Sequence, residues 1–313
     1  VSEERDMLRA TVAALVEKHA NPEAVRTAMA SDKGYDENLW QLLCEQVGAA
    51  ALIIPEELGG AGGELADAAV VLEELAKGLV PTPLLSTTLA EVALLAVDNH
   101  EPLEGLAEGT SVGTVVFDAG YVLNGDVADV VIAAQDGRLT RWTDVTATPS
   151  TAMDPTRRLA AVTAGATENL GADPGVADTA AILMAVEQVG AAARCLDLTV
   201  AYTKDRVQFG RPIGSFQALK HRMSDLYVKV SAARSIVNDA VADPTPTNAS
   251  LARFMATEAF NAVAAEAIQM HGGIAITWEH DIQLYFKRAH GSAQLLGPAR
   301  EHLRRLEAEA LQA

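Results

Sequence analysis

The chain has 313 residues, 49% of them hydrophobic, enough to bury a sizeable core and to make two or three domains. Its 42 acidic and 24 basic residues give a formal charge of −18, which excludes the broad basic face that a nucleic-acid partner requires and reads as a solvated acidic exterior. Two separate cysteines, Cys44 and Cys195, and 7 scattered histidines offer neither a disulfide framework nor a metal-ligand pattern, so no metal is expected.

The first residues, Val1 to Ala20, mix acids, bases and alanines without a basic start or an apolar centre, so they do not read as a signal peptide. No window reaches the ~18 consecutive apolar residues of a membrane span, and a reducing cytoplasm is the expected location. From Ser2 to Asn99 apolar residues recur three or four apart, as at Leu72, Leu75 and Leu79, which predicts an all-helical segment. Two breaks interrupt it: the glycine-rich stretch from Ile53 to Gly63, and Pro81-Thr82-Pro83.

From about Gly105 to Ala164 short β-branched runs take over, at Val112–Phe117, Val130–Ala133, Leu139–Trp142 and Leu159–Thr163. Asn124-Gly125 and Asp136-Gly137 separate them as turn formers, so a small antiparallel β unit is expected. A linker around Gly171 to Gly175 follows. Helical periodicity then returns in four long segments, about Val176–Asp205, Gln217–Ala242, Thr247–Gly272 and Ile282–Leu311, which predict an antiparallel bundle. The expected architecture is mainly α with a small β domain: residues 1–104 helical, 105–170 a truncated antiparallel β middle domain, and 171–313 a C-terminal four-helix bundle.

Two stretches in the bundle carry chemistry. Asp205 to Gln217 sets Arg206, Gln208 and Phe209 at a helix end, then Gly210-Arg211-Pro212-Ile213-Gly214, then a new helix start. A helix start offers unpaired N–H donors and Arg206 a planar fork, a combination suited to phosphate, although a plain helical corner with a capping arginine has the same spacing. Gln269-Met270-His271-Gly272-Gly273 ends the third bundle helix and reads by itself as a glycine C-cap. His271 and His280, without a paired acid, read as ordinary histidines rather than proton carriers.

In this order and on this helical half, the two stretches resemble the acyl-CoA dehydrogenase family. Pro55-Glu56-Glu57-Leu58-Gly59-Gly60 with Val71-Leu72-Glu73-Glu74-Leu75 is similar to the family's first domain, and Asp154-Pro155-Thr156-Arg157-Arg158-Leu159 to the end of its second. Thr277-Trp278-Glu279-His280-Asp281 resembles a branch common among actinobacterial enzymes of lipid and sterol side-chain breakdown. The resemblance implies FAD shared across a subunit interface. Arg206 and Gln208 would contact its pyrophosphate, Phe209 and Ile213 would pack by the adenosine, Phe216 and Leu219 would line the same region, and Gln269 with Gly272 and Gly273 would approach the diphosphate.

The family's reaction takes a proton from the carbon α to the thioester while hydride leaves the β carbon for flavin, so it needs a carboxylate base near the ring. Here the usual stretch, Lys287 to Gly297, contains no Asp or Glu, and His290 or Leu296 takes the position. Asp243, beside Pro244-Thr245-Pro246, is the one substitute at the alternative position and reads more readily as a helix end. The loops that contact the flavin ring and thioester find no counterpart between Gly105 and Ala164, and Ala275 stands where a glycine commonly follows the Gly-Gly pair.

The resemblance thus implies a subunit without a catalytic residue of its own. It would belong to a heterotetrameric acyl-CoA dehydrogenase acting on a bulky, steroid-like or cholesterol-derived acyl-CoA, with a sister subunit supplying the base and electron-transfer flavoprotein as acceptor. Two other readings stand beside it: a self-sufficient homomer using Asp243 or His290 as base, and a flavin-free interaction subunit.

Overall fold

The computed structural model describes residues 3–97 and 99–311; Val1 and Ser2, the start of the expected first helix, lie outside the described residues. The first helical part comprises α1 (Glu3–His19), α2 (Pro22–Met29), α3 (Glu37–Leu42), α4 (Leu65–Lys77), α5 (Leu84–Ala96) and α6 (Leu103–Ala107). Local chemistry sets the starts. Asn21 accepts from the Ala24 N–H with Pro22 at the first helical position of α2, and Asp36 accepts from the Asn38 and Leu39 N–H groups to start α3. The expected break at residues 53–63 is a compact loop whose Ala61, Gly62 and Gly63 N–H groups donate to the carbonyls of Ala51, Ile54 and Leu52. Gly60 is required there, since a Cβ would stand 2.0 Å from the Ile54 carbonyl oxygen.

The middle part holds β1 (Gly113–Val116), β2 (Val122–Leu123), β3 (Val130–Gln135), β4 (Arg138–Thr143), β5 (Thr146–Ser150), β6 (Leu159–Thr163) and β7 (Ala166–Ala172). They form two sheets, β1-β3-β4-β7 and β2-β6-β5. Asp136-Gly137 makes the expected tight turn, both residues at positive φ between paired Gln135 and Arg138. The pairing departs from a purely antiparallel unit at one place: β1 runs parallel to β3, because the chain leaves the first sheet after β1, adds β2 to the second, and returns. Three strands, β2, β5 and β7, lie outside the β-branched runs.

The last part is the bundle: α7 (Val176–Asp205), a two-residue-strand hairpin β8 (Val207–Gln208) and β9 (Arg211–Pro212), α8 (Gln217–Ala242), α9 (Pro246–His271), α10 (Ile282–Ser292) and α11 (Ala299–Ala310). The first three long helices fall where expected. The fourth is two helices, because Leu296 and Gly297 take positive φ and Pro298 follows. The buried Arg253 guanidinium supports that break: it donates to the carbonyls of Ser292 and Leu295, which a continuous helix would have paired internally. Helix α7 is long and apolar enough to cross a membrane, yet most of it is buried against α4, α8 and α9, which accounts for its composition.

The segment Asp154–Arg158 joins the parts. Asp154 accepts from Arg288 on α10, Arg157 donates to Glu187 on α7, and Arg158 donates through Nε to Asp126 while its side chain packs on Gly34. Both partners of the Asp154–Arg288 pair are buried, and Thr156 supplies further acceptors to Arg288.

Candidate functional site

The first chemical stretch forms a protruding corner. Arg206 caps α7, its N–H donating to the Tyr202 carbonyl at 2.9 Å, and Ile213 N–H donates back to the Arg206 carbonyl at 2.8 Å. Between them β8 and β9 close a two-residue turn in which Phe209 (φ 53°) and Gly210 (φ 76°) are both left-handed. Phe209 is 93% exposed, its ring edge-on to Phe216 at 6.2 Å, and the Arg211 guanidinium lies 4.0 Å over the Phe216 ring. Phe216 is the residue before α8, and Leu219 lies in that helix's first turn, both half-buried. Arg206 and Gln208 are exposed; the Gln208 amide donates only to the neighbouring Val207 carbonyl, and the Arg206 guanidinium makes no hydrogen bond among the described residues.

The second stretch ends α9. Gln269 is exposed on its last turn, and Gly272 (φ 64°, ψ −142°) takes a backbone conformation that only glycine adopts without strain. A Cβ at Gly272 or Gly273 would meet nothing within 4 Å, so this backbone faces open space. Tyr202 joins the two stretches. Its ring stacks on His271 at 4.2 Å and its hydroxyl donates to the His271 carbonyl at 3.3 Å, one helical turn before Arg206. Sequence reading passed over Tyr202, which belongs to neither motif; its spacing of four from Arg206 was the available signal.

His271 is a hydrogen-bonded core histidine. Nδ1–H donates to the Ala267 carbonyl at 2.8 Å, Nε2 is buried without a hydrogen-bond partner among the described residues, and His280 stands edge-on at 4.8 Å. Burial and the neighbouring His280 hold its pKa below the ordinary imidazole value, against the opposing Ala267 hydrogen bond. Ala275 is fully buried beneath the loop.

Both candidate bases, Asp243 and His290, are exposed. Asp243 is exposed and accepts from the Asn248 amide at 3.1 Å, beside Thr245, whose hydroxyl accepts from the Asn248 N–H to start α9. His290 is exposed on α10, with Nδ1 3.0 Å from the Phe286 carbonyl and its ring against Phe286 at 4.1 Å. Neither lines the cavity of about 690 Å³ between the middle part and the bundle, whereas Leu296 does. The acids on its wall are Asp118, Asp154 and Glu301. Glu301 was missed because it lies beyond the stretch that carries the family's base; the break at Leu296-Gly297-Pro298 starts α11 and turns its first residues back toward the cavity.

The exposed donors fit the adenosine diphosphate half of FAD: a free guanidinium, an amide, an aromatic ring and an open glycine backbone at one end of the bundle. The model of the acyl-CoA dehydrogenase N-terminal domain matches residues 2–100, and that of the C-terminal domain matches residues 175–311. Acyl-CoA dehydrogenase IpdE2 of Mycolicibacterium smegmatis is 73% identical over 309 residues, covering 99% of each chain. A structure of the ChsE4-ChsE5 complex from Mycobacterium tuberculosis superposes with a TM-score of 0.91 at 25% identity, covering 100% of this chain and 98% of that one. A variant of the steroid acyl-CoA dehydrogenase Tcur3481-Tcur3483 does so with a TM-score of 0.92 at 26% identity, covering 99% of each. The chain belongs to the acyl-CoA dehydrogenase family.

Proposed function

We propose that this chain is the flavin-completing subunit of a heteromeric acyl-CoA dehydrogenase, in which a sister subunit supplies the base, the contacts to the flavin ring and the acyl pocket. The observation that carries this reading is the exposure of the corner at Arg206–Phe216 together with Gly272-Gly273. Phe209 holds its ring in solvent on a left-handed backbone, an arrangement that costs stability unless something outside the chain packs on it. The absence of any acid from Lys287 to Gly297, and the surroundings of Asp243 and His290, favour the division of labour.

In this reading Arg206 and Gln208 grip the pyrophosphate, Phe209, Ile213, Phe216 and Leu219 bound the adenosine region, and Gln269 with the Gly272-Gly273 backbone closes over the diphosphate. FAD, when bound, supplies the hydride acceptor. The two structural relatives are a two-protein complex and a steroid enzyme, which supports a bulky, steroid-type acyl-CoA as substrate of the assembled complex. Electron-transfer flavoprotein is the matching acceptor for the reduced flavin.

The test is co-expression with the sister subunit followed by flavin-to-protein stoichiometry. One FAD per pair of unlike subunits is expected, and Arg206→Ala lowers flavin retention by roughly 10- to 100-fold, the range for a lost charge-assisted hydrogen bond. A purified homomer that binds one FAD per chain and dehydrogenates acyl-CoA overturns the reading. A colourless complex, or flavin retention indifferent to Arg206→Ala, establishes the flavin-free interaction subunit instead.

A further inference from the structure

We propose that Tyr202 is a positioning residue for the diphosphate of the flavin, holding Arg206 through its backbone and the Gly272-Gly273 turn through its side chain. The proposal rests on the reading above and deepens it.

Tyr202 acts on both motifs at once, although they lie far apart in sequence. Its carbonyl accepts the Arg206 N–H at 2.9 Å, which closes α7 and fixes where the exposed Arg206 side chain leaves the helix. Its hydroxyl donates to the His271 carbonyl at 3.3 Å. That carbonyl shares a peptide unit with the Gly272 N–H, which donates to the Ile268 carbonyl. One peptide plane is therefore held at both edges, directly before the turn where Gly272 and Gly273 face open space. The Arg206–Phe216 corner leans on the same stretch of α7, because Gly214 sits so close to Thr203 that a Cβ would stand 2.9 Å from its carbonyl oxygen.

Three rings fix the hydroxyl in place. Tyr202 stacks on His271 with centroids 4.2 Å apart and planes 23° apart, and His280 stands edge-on to the two rings at 6.2 and 4.8 Å. His271 is tied down by its own bond to the Ala267 carbonyl, and His280 by the Ile282 N–H, which it accepts at Nδ1 where α10 begins. The His271 ring thus serves as a stacking platform for Tyr202.

Glycine loses more conformational freedom on ordering than any other residue, and here two stand in a row. A loose Gly272-Gly273 segment would have to be ordered by the diphosphate itself, which weakens binding, whereas a held segment meets it preorganised. Tyr202 supplies that order from behind the site.

The experiment titrates the chain purified with its sister subunit and depleted of flavin, using FAD in one series and ADP, which lacks the flavin ring, in another. Equilibrium dialysis reads the affinities, and the unfolding midpoint is recorded on the same samples. Tyr202→Phe keeps the stack and removes the hydroxyl, so it should weaken FAD and ADP alike by about 2- to 10-fold, the worth of one hydrogen bond, with the midpoint unchanged. Tyr202→Leu removes the stack as well and should weaken both at least 10-fold; should it fail to fold, Tyr202→Phe carries the test. Tyr285→Phe removes a bond of the same kind elsewhere, from its hydroxyl to the Lys77 carbonyl, and should lower the midpoint while leaving both affinities as they were. Wild-type FAD affinity in Tyr202→Phe, weakened FAD with ADP unmoved, or equal losses in Tyr202→Phe and Tyr285→Phe overturns this inference alone, provided that Arg206→Ala still weakens FAD. FAD affinity indifferent to Arg206→Ala and Tyr202→Phe together overturns the functional reading as well.

Discussion

Phe209, 93% exposed on a left-handed backbone, is the residue at which the proposed shared site is tested most directly. A side chain with a Cβ in the left-handed region costs about 1–2 kcal/mol, and glycine removes that strain while making the unfolded chain more flexible. The two effects nearly cancel, so Phe209→Gly should leave the melting midpoint of the isolated chain within roughly 1 kcal/mol of wild type while reducing flavin retention in the complex. Calorimetry and flavin absorbance read the two separately. Loss of stability with flavin retained would mean that the ring serves folding. Two buried titratable groups predict pH effects of opposite sign. Glu91 on α5 is fully buried, its Oε1 without a hydrogen-bond partner among the described residues, and desolvation raises its pKa well above the ordinary carboxyl value. An acid with a raised folded pKa stabilises the fold most below its unfolded pKa of about 4.3 and progressively less as pH rises toward the folded value. Glu91→Gln should therefore melt higher than wild type at pH 8, with the gap closing toward pH 4.5. His271 behaves in reverse. Its lowered pKa favours the neutral ring, so its contribution is complete above about pH 6.5 and is lost as pH falls toward the folded value. His271→Gln should flatten the acid limb of the melting curve, and an unchanged acid limb would assign that limb to other groups.

At the scale of elements, the junction of the three parts hangs on Asp154 and Arg288. Removing one partner of a buried ion pair leaves the other charge uncompensated, a loss of about 3–5 kcal/mol, whereas replacing both with apolar groups costs far less. Asp154→Asn or Arg288→Met alone should lower the denaturation midpoint strongly, and a double variant Asp154→Leu with Arg288→Met should recover much of it. Additive losses in that cycle would show that the two side chains act independently. What could be read in advance follows from the same local chemistry. The ends of α7, α8 and α9 were legible because Gly175, Pro212, Thr245-Pro246 and Gly272 punctuate a strong helical period. Strand β7 was not, since Ala166–Ala172 is polar, mostly exposed and carries no alternating apolar face. The parallel pairing of β1 with β3 depends on the order in which strands join two sheets, which no local pattern encodes. The same limit hid Glu301 and Tyr202. Each gains its place from a packing partner distant in sequence or from a helix break, whereas Arg206, Phe209 and Gly272 stand inside motifs whose spacing is visible directly.

On the scale of the whole molecule, two forces act on the exposed end of the bundle and respond differently to salt. Val207, Phe209, Ile276 and Trp278 are large apolar side chains left in water, while the chain as a whole carries a formal charge of −18. Apolar burial is non-directional and is not screened by ions, so an interface built on these side chains should hold at high salt, and high salt should also relieve repulsion involving this acidic chain. In the proposed function the grip of Arg206 on a pyrophosphate would be a contact between charges at an exposed site, one that weakens as the Debye length shrinks from about 10 Å at 0.1 M to about 3 Å at 1 M. The complex should accordingly keep its subunits together in 1 M sodium chloride on size exclusion with light scattering, and lose flavin more readily than in 50 mM salt. Phe209→Ser combined with Trp278→Ser should reverse that pattern by loosening the subunits at every salt concentration. If salt instead separates the subunits while each retains its flavin, the interface is electrostatic and the exposed apolar side chains do not form it.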